Sequence, residues 1–69
     1  MKFARLEDLR EERNWTQKAV ASELHISQRA YSHYENGTRS MPIDILIKVA
    51  DLYNVSIDYI VGRTDIRRL

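Results

Sequence analysis

The sequence predicts an all-α fold, a compact arrangement of five short helices, and three observations carry that expectation. Apolar residues recur at three- and four-residue spacing along the chain, and no segment reads as a strand. Hydroxyl residues stand just before several of these stripes, where a side-chain oxygen can accept a hydrogen bond from a free first-turn N–H. The two glycines and the single proline act as punctuation between stripes.

Taken in order, the first helix is expected over residues 3–13, with Phe3, Leu6, Leu9 and Arg13 along one side. The second, over 17–24, shows Val20, Ala21 and Leu24, and the third, over 28–35, shows Tyr31 and Tyr34. Between them, Leu24, His25, Ile26 and Ser27 form a turn too tight for antiparallel packing, so the two helices meet at a steep angle. That geometry presents a helix to a DNA groove. Gly37 follows Asn36 where a left-handed helix terminator is expected, and Pro42 opens a fourth helix over 43–53. Its stripe is Ile43, Leu46, Ile47, Ala50 and Tyr53. A fifth helix over 57–61 closes at Gly62.

If Thr16, Ser27 and Ser56 are N-caps, the residues before them are Trp15, Ile26 and Val55, and the fourth helical positions are Val20, Tyr31 and Ile60. Each pair fits a hydrophobic staple, which fixes the angle at which the chain enters a helix. Trp15 is therefore expected to be structural.

With 69 residues, one domain over 1–69 is expected, burying only about 60% of the unfolded chain's surface. There is no cysteine to supply a disulfide or a thiolate metal site, so a helical core must suffice. The charged start MKFARLEDLREER and the lack of any apolar run near the roughly 20 residues that cross a bilayer make the cytoplasm the default and exclude a membrane role. Residues 65–69 lack a clear partner and are expected to fray. The net charge of +1 counts mildly against strong nonspecific DNA affinity, which comes mainly from neutralised phosphates. Placement matters more than the sum: Glu7, Asp8, Glu11 and Glu12 fall on helix one, while Lys18, Arg29 and Arg39 fall in or beside the tight helix pair.

On a helical wheel, Tyr31 and Tyr34 turn inward while Gln28, Arg29, Ser32, His33 and Asn36 fan over the opposite side. In a major groove, glutamine can pair with adenine through N6 and N7, and arginine with guanine through O6 and N7. The start of helix two suits a phosphate, because its free N–H groups and positive dipole end are joined by the side chains of Thr16 and Gln17, with Lys18 one residue on.

Three blocks in order, LEDLREERNWTQ, ISQRAYSHYENGTR and IDILIKVADLYNVSIDYIVGRTD, resemble the phage-repressor or Cro/Xre type of helix-turn-helix transcriptional regulators over roughly residues 6–64. The resemblance implies a five-helix phage-repressor-like domain that binds double-stranded DNA as a repressor-type regulator. In that family the first residues of the second helix of the motif meet base edges. By that implication Gln28, Arg29 and His33 are the readers, with Ser27 and Ser32 at the margin. Asn36, Thr38 and Arg39 resemble the family's other phosphate-contacting segment. Arg10 and Glu35 occupy positions that can form a structural ion pair between helix one and the end of helix three. His25 departs from the glycine usual in the family's turn, although histidine tolerates positive φ better than most residues. The family often has acidic residues where this chain has Lys18 and Ala19.

No metal site is expected from His25 and His33, which lie eight apart without cysteine or an i, i+4 partner. No cofactor and no enzymatic activity are expected either, since nucleophile motifs and glycine-rich phosphate loops are absent. One short helix reads few base pairs, so a homodimer on a twofold operator is expected, with half-sites about 34 Å apart. Ile57, Tyr59, Ile60, Val61, Ile66 and Leu69 are the candidate interface, the alternative being that they all pack on helix four. An antitoxin that neutralises a protein partner, a toxin, while autoregulating its operon is the second reading. RNA binding is disfavoured because an A-form major groove excludes such a helix.

Overall fold

Three helices start in the same way. The side-chain oxygens of Thr16, Ser27 and Ser56 accept from the N–H groups of Ala19, Ala30 and Tyr59, each at 3.0 Å. A computed structural model, which describes residues 2–68, places α1 at Ala4–Glu12, α2 at Gln17–Leu24, α3 at Gln28–Asn36, α4 at Ile43–Tyr53 and α5 at Ile57–Ile60. No strand occurs among the described residues. The expected α2 and α4 coincide with those observed, while α1 and α5 are shorter and α3 extends to Asn36.

The helix before each of these caps also ends in a shared way. Asn14, His25 and Asn54 are left-handed, with φ of 56°, 59° and 58°. The next N–H in each case turns back to a carbonyl five residues earlier: Trp15 to Arg10 at 3.2 Å, Ile26 to Ala21 at 3.0 Å and Val55 to Ala50 at 3.0 Å. This is the Schellman closure, which satisfies carbonyls that the helix end leaves without partners. Asn14-Trp15-Thr16, His25-Ile26-Ser27 and Asn54-Val55-Ser56 are thus one three-residue connector used three times: a left-handed residue, an apolar residue, then a cap. The apolar residue's N–H closes the helix behind it, and the cap that follows opens the helix ahead. Val55 is buried and Ile26 half-buried, while Trp15 is 37% exposed and stacks on Tyr53 with ring centroids 5.9 Å apart. Arg13 reinforces that corner, donating to the carbonyls of Leu9 at 3.1 Å and Tyr53 at 2.9 Å.

The core joins all five helices. Leu6 and Leu9 of α1, Val20 and Leu24 of α2, Tyr31 of α3, Val49 and Tyr53 of α4 and Ile60 of α5 are each at most 2% exposed. In α4 the inward stripe differs from the expected one: Ile43 and Ile47 are 65% and 47% exposed, and Ile45 and Val49 take their place beside Leu46, Ala50 and Tyr53. Apolar residues surround α4 on several sides, so helical spacing alone allowed two neighbouring stripes, and packing against α2 and α5 selects one.

The tail also differs from expectation. Arg5 donates to the carbonyls of Tyr59, at 2.7 Å, and Thr64, and pairs with Asp65 at 2.6 Å. Arg67 forms a two-pronged pair with Glu12 at 2.8 and 2.6 Å, and its carbonyl accepts from the Ser56 N–H at 2.6 Å. Asp65 and Arg67 thus find partners on α1 and at the start of α5. Among the expected interface residues, Ile60 is 1% exposed and belongs to its own chain's core. Ile57, Tyr59 and Val61 are half-buried, Ile66 is 56% exposed, and Leu69 lies outside the described residues.

Candidate nucleic-acid interface

The helix that carries the polar face is held from behind. Glu35 on α3 is 1% exposed, and Arg10 on α1 meets its carboxylate with Nε at 3.0 Å and Nη2 at 2.9 Å. The third donor of the same guanidinium, Nη1, reaches the Trp15 carbonyl at 3.0 Å, while the Trp15 N–H donates to the Arg10 carbonyl. One arginine thus ties α1, the α1–α2 connector and α3 together. Burial pushes the Glu35 carboxyl up, but hydrogen bonds from Arg10, Tyr31 and Gln17 outweigh it and hold the group below its ordinary value. The hydrogen bond to Glu35 raises Arg10 in turn. Beside this pair the hydroxyls of Tyr31 and Tyr53 lie 3.1 Å apart, and burial pushes both phenols up, so both stay neutral.

Opposite this dry side, Gln28, Arg29 and Asn36 are exposed and Ser32 and His33 are half-buried, whereas Tyr31, Tyr34 and Glu35 face the core. The structure therefore brings the expected readers onto one face of α3. Ser27, at its start, is exposed and engaged as the cap. Asn36 donates to the Ser32 hydroxyl at 3.4 Å.

The expected phosphate contacts divide. Thr16 and Lys18 are exposed at the start of α2, where helix geometry leaves first-turn N–H groups free and Thr16 takes up only that of Ala19. Gln17 is half-buried and donates to Glu35 at 3.4 Å, so its side chain packs behind α3. Arg39 is exposed beyond the end of α3. Thr38 is engaged within the chain: its N–H meets the His33 carbonyl at 3.0 Å, and its hydroxyl lies 3.3 Å from that oxygen and 2.7 Å from His33 Nδ1. The Thr38 side chain, although exposed, is thus tied to His33. The sequence held one clue to this pairing, Gly37, because a Schellman closure turns the residue after the glycine back over the last helical turn.

Among the described residues no group of three or more His, Cys, Asp or Glu side chains is placed to hold a metal ion, and no helix is long and apolar enough to cross a membrane.

Two helices joined by a three-residue turn, the second buried behind and polar in front, define a helix-turn-helix domain. A family profile described as helix-turn-helix matches residues 6–60, and the chain belongs to this family, in its Cro-type branch. It is 38% identical over 64 residues to the HTH-type transcriptional regulator ImmR of Bacillus subtilis (strain 168), covering 93% of this chain and 50% of that protein. It is 35% identical over 63 residues to the regulator AnsR of the same organism, covering 91% and 54%. It is 39% identical over 59 residues to the cryptic phage CTXphi transcriptional repressor RstR of Vibrio cholerae serotype O1 (strain ATCC 39315 / El Tor Inaba N16961), covering 86% and 53%. The chain spans about half the length of these curated relatives.

Proposed function

We propose that the chain is the sequence-reading module of a transcriptional regulator of the repressor type, laying α3 in the major groove of double-stranded DNA. The observation that carries this reading is the polar face of Gln28, Arg29 and His33, backed by the buried Arg10–Glu35 pair. Gln28 and Arg29 suit adenine and guanine edges, and fixed rotamers behind them limit the entropy lost on docking. Phosphates are gripped by the start of α2, with Thr16 and Lys18, and by Asn36 and Arg39 after the reading residues. The names of the relatives, transcriptional regulators and a phage repressor, support the same function.

Because α3 reads few base pairs, the module binds as a homodimer on a twofold operator. Ile57, Tyr59, Val61 and Ile66 remain available for that contact, and Ile60 does not. Equilibrium binding to an enriched duplex at several salt concentrations tests the phosphate assignment. Lys18→Ala should weaken binding to all sequences alike and reduce the slope of log affinity against log salt by about 1. An unchanged slope would remove Lys18 from the interface.

A further inference from the structure

We propose that Thr38 sets the hydrogen-bonding sign of His33, so that the ring offers Nε2 to the groove as an acceptor and selects a base with an amino donor, adenine or cytosine. The proposal rests on the reading of α3 as the recognition helix and adds what one of its residues recognises.

A neutral imidazole carries its proton on one nitrogen and a lone pair on the other, and the hydrogen bond made by one nitrogen decides what the other presents. The Thr38 hydroxyl has one hydrogen and stands between two groups, the His33 carbonyl oxygen at 3.3 Å and His33 Nδ1 at 2.7 Å. A carbonyl oxygen only accepts, so the first contact takes the hydroxyl hydrogen. The second must then use a proton on Nδ1. The reverse arrangement, with the hydroxyl donating to Nδ1, sets a hydroxyl lone pair against the carbonyl lone pairs and satisfies one contact instead of two. The backbone holds the hydroxyl in place, because left-handed Gly37 (φ 78°) turns the chain and the Thr38 N–H closes on the His33 carbonyl at 3.0 Å.

With Nδ1 protonated, Nε2 of the neutral ring is a bare acceptor. In the major groove the amino donors are adenine N6 and cytosine N4, whereas guanine presents only acceptors and thymine an acceptor and a methyl group. Arg29 can only donate, so the same face pairs a donor with an acceptor. Thr38 is thus a positioning residue for specificity, acting through His33.

Two measurements test this. The first is the long-range proton–nitrogen correlation spectrum of the His33 ring in the free protein at about pH 8, above the ordinary imidazole range. It should report the Nδ1–H tautomer in the wild type and lose that bias in Thr38→Val. The second is selection from a random duplex pool. Wild type and Thr38→Ser should prefer adenine or cytosine at one position by about tenfold, and Thr38→Val should lose that preference while keeping the rest of the motif. An Nε2–H tautomer in the wild type would overturn the proposal, as would a Thr38→Val motif identical to that of the wild type. If His33→Ala left the whole motif unchanged while the wild-type ring still showed Nδ1–H, the failure would lie in the assignment of His33 to the reading face, and the proposal would fall with it.

Discussion

Arg10 and Glu35, 25 residues apart in sequence, form a two-pronged ion pair in which the carboxylate is 1% exposed and the guanidinium side chain 16% exposed. Removing one partner of a buried pair leaves an uncompensated charge, which costs about 3 to 5 kcal/mol, whereas an exposed pair is worth under about 1 kcal/mol. Arg10→Ala should therefore lower stability by the larger amount in urea melts. A loss under about 1 kcal/mol would mean that the pair does not hold α3 in place.

The same pair gives stability a defined pH dependence. Burial raises the Glu35 carboxyl, but hydrogen bonds from Arg10, Tyr31 and Gln17 prevail, and its folded pKa lies below its ordinary value. A depressed carboxylate contributes stability that is fully present above the unfolded value of about 4.3 and is lost as pH falls through the folded value. Urea melts across the acid range should show the wild type losing more stability than Glu35→Gln below about pH 4. Parallel profiles for the two proteins would contradict this.

Gly37 and Gly62 are both left-handed, with φ of 78° and 85°, but their surroundings differ. A Cβ on Gly37 would stand 2.6 Å from the Lys2 Cα, while a Cβ on Gly62 would meet nothing within 4 Å. Gly62→Ala should cost only the left-handed penalty of about 1 to 2 kcal/mol. Gly37→Ala should cost more, because the backbone near Lys2 must also move. Thermal melts compare the two, and equal losses would show that the approach of Lys2 contributes nothing.

Much of this architecture was legible because it is written locally. Thr16, Ser27 and Ser56 announce helix starts through chemistry that needs only the next three residues, and each makes the expected bond. The inward turn of Tyr31 and Tyr34 followed from helical spacing for the same reason. What escaped depends on distance along the chain or on a choice between neighbouring faces. Arg5 with Asp65 and Arg67 with Glu12 join residues 60 and 55 positions apart, and no local pattern encodes them. Ile43 and Ile47 fit one stripe of an almost wholly apolar helix, and only the packing of Ile45 and Val49 decides against them. At the candidate site the shared face of Gln28, Arg29 and His33 was legible from helical spacing. The tie of Gln17 to Glu35 and of Thr38 to His33 was not, because both side chains carry groups equally suited to a phosphate.

The reading role of α3 is the central claim, and selection from a random duplex pool with wild type, Gln28→Ala and Arg29→Ala tests it most directly. Both side chains are exposed, so neither substitution should change the thermal melt. The wild type should enrich twofold-related half-sites about 34 Å apart. Each variant should lose preference at its own base position, at a cost of about 1 to 3 kcal/mol at the cognate site. If both variants enriched the same motif as the wild type with undiminished affinity, α3 would not be the helix that reads DNA.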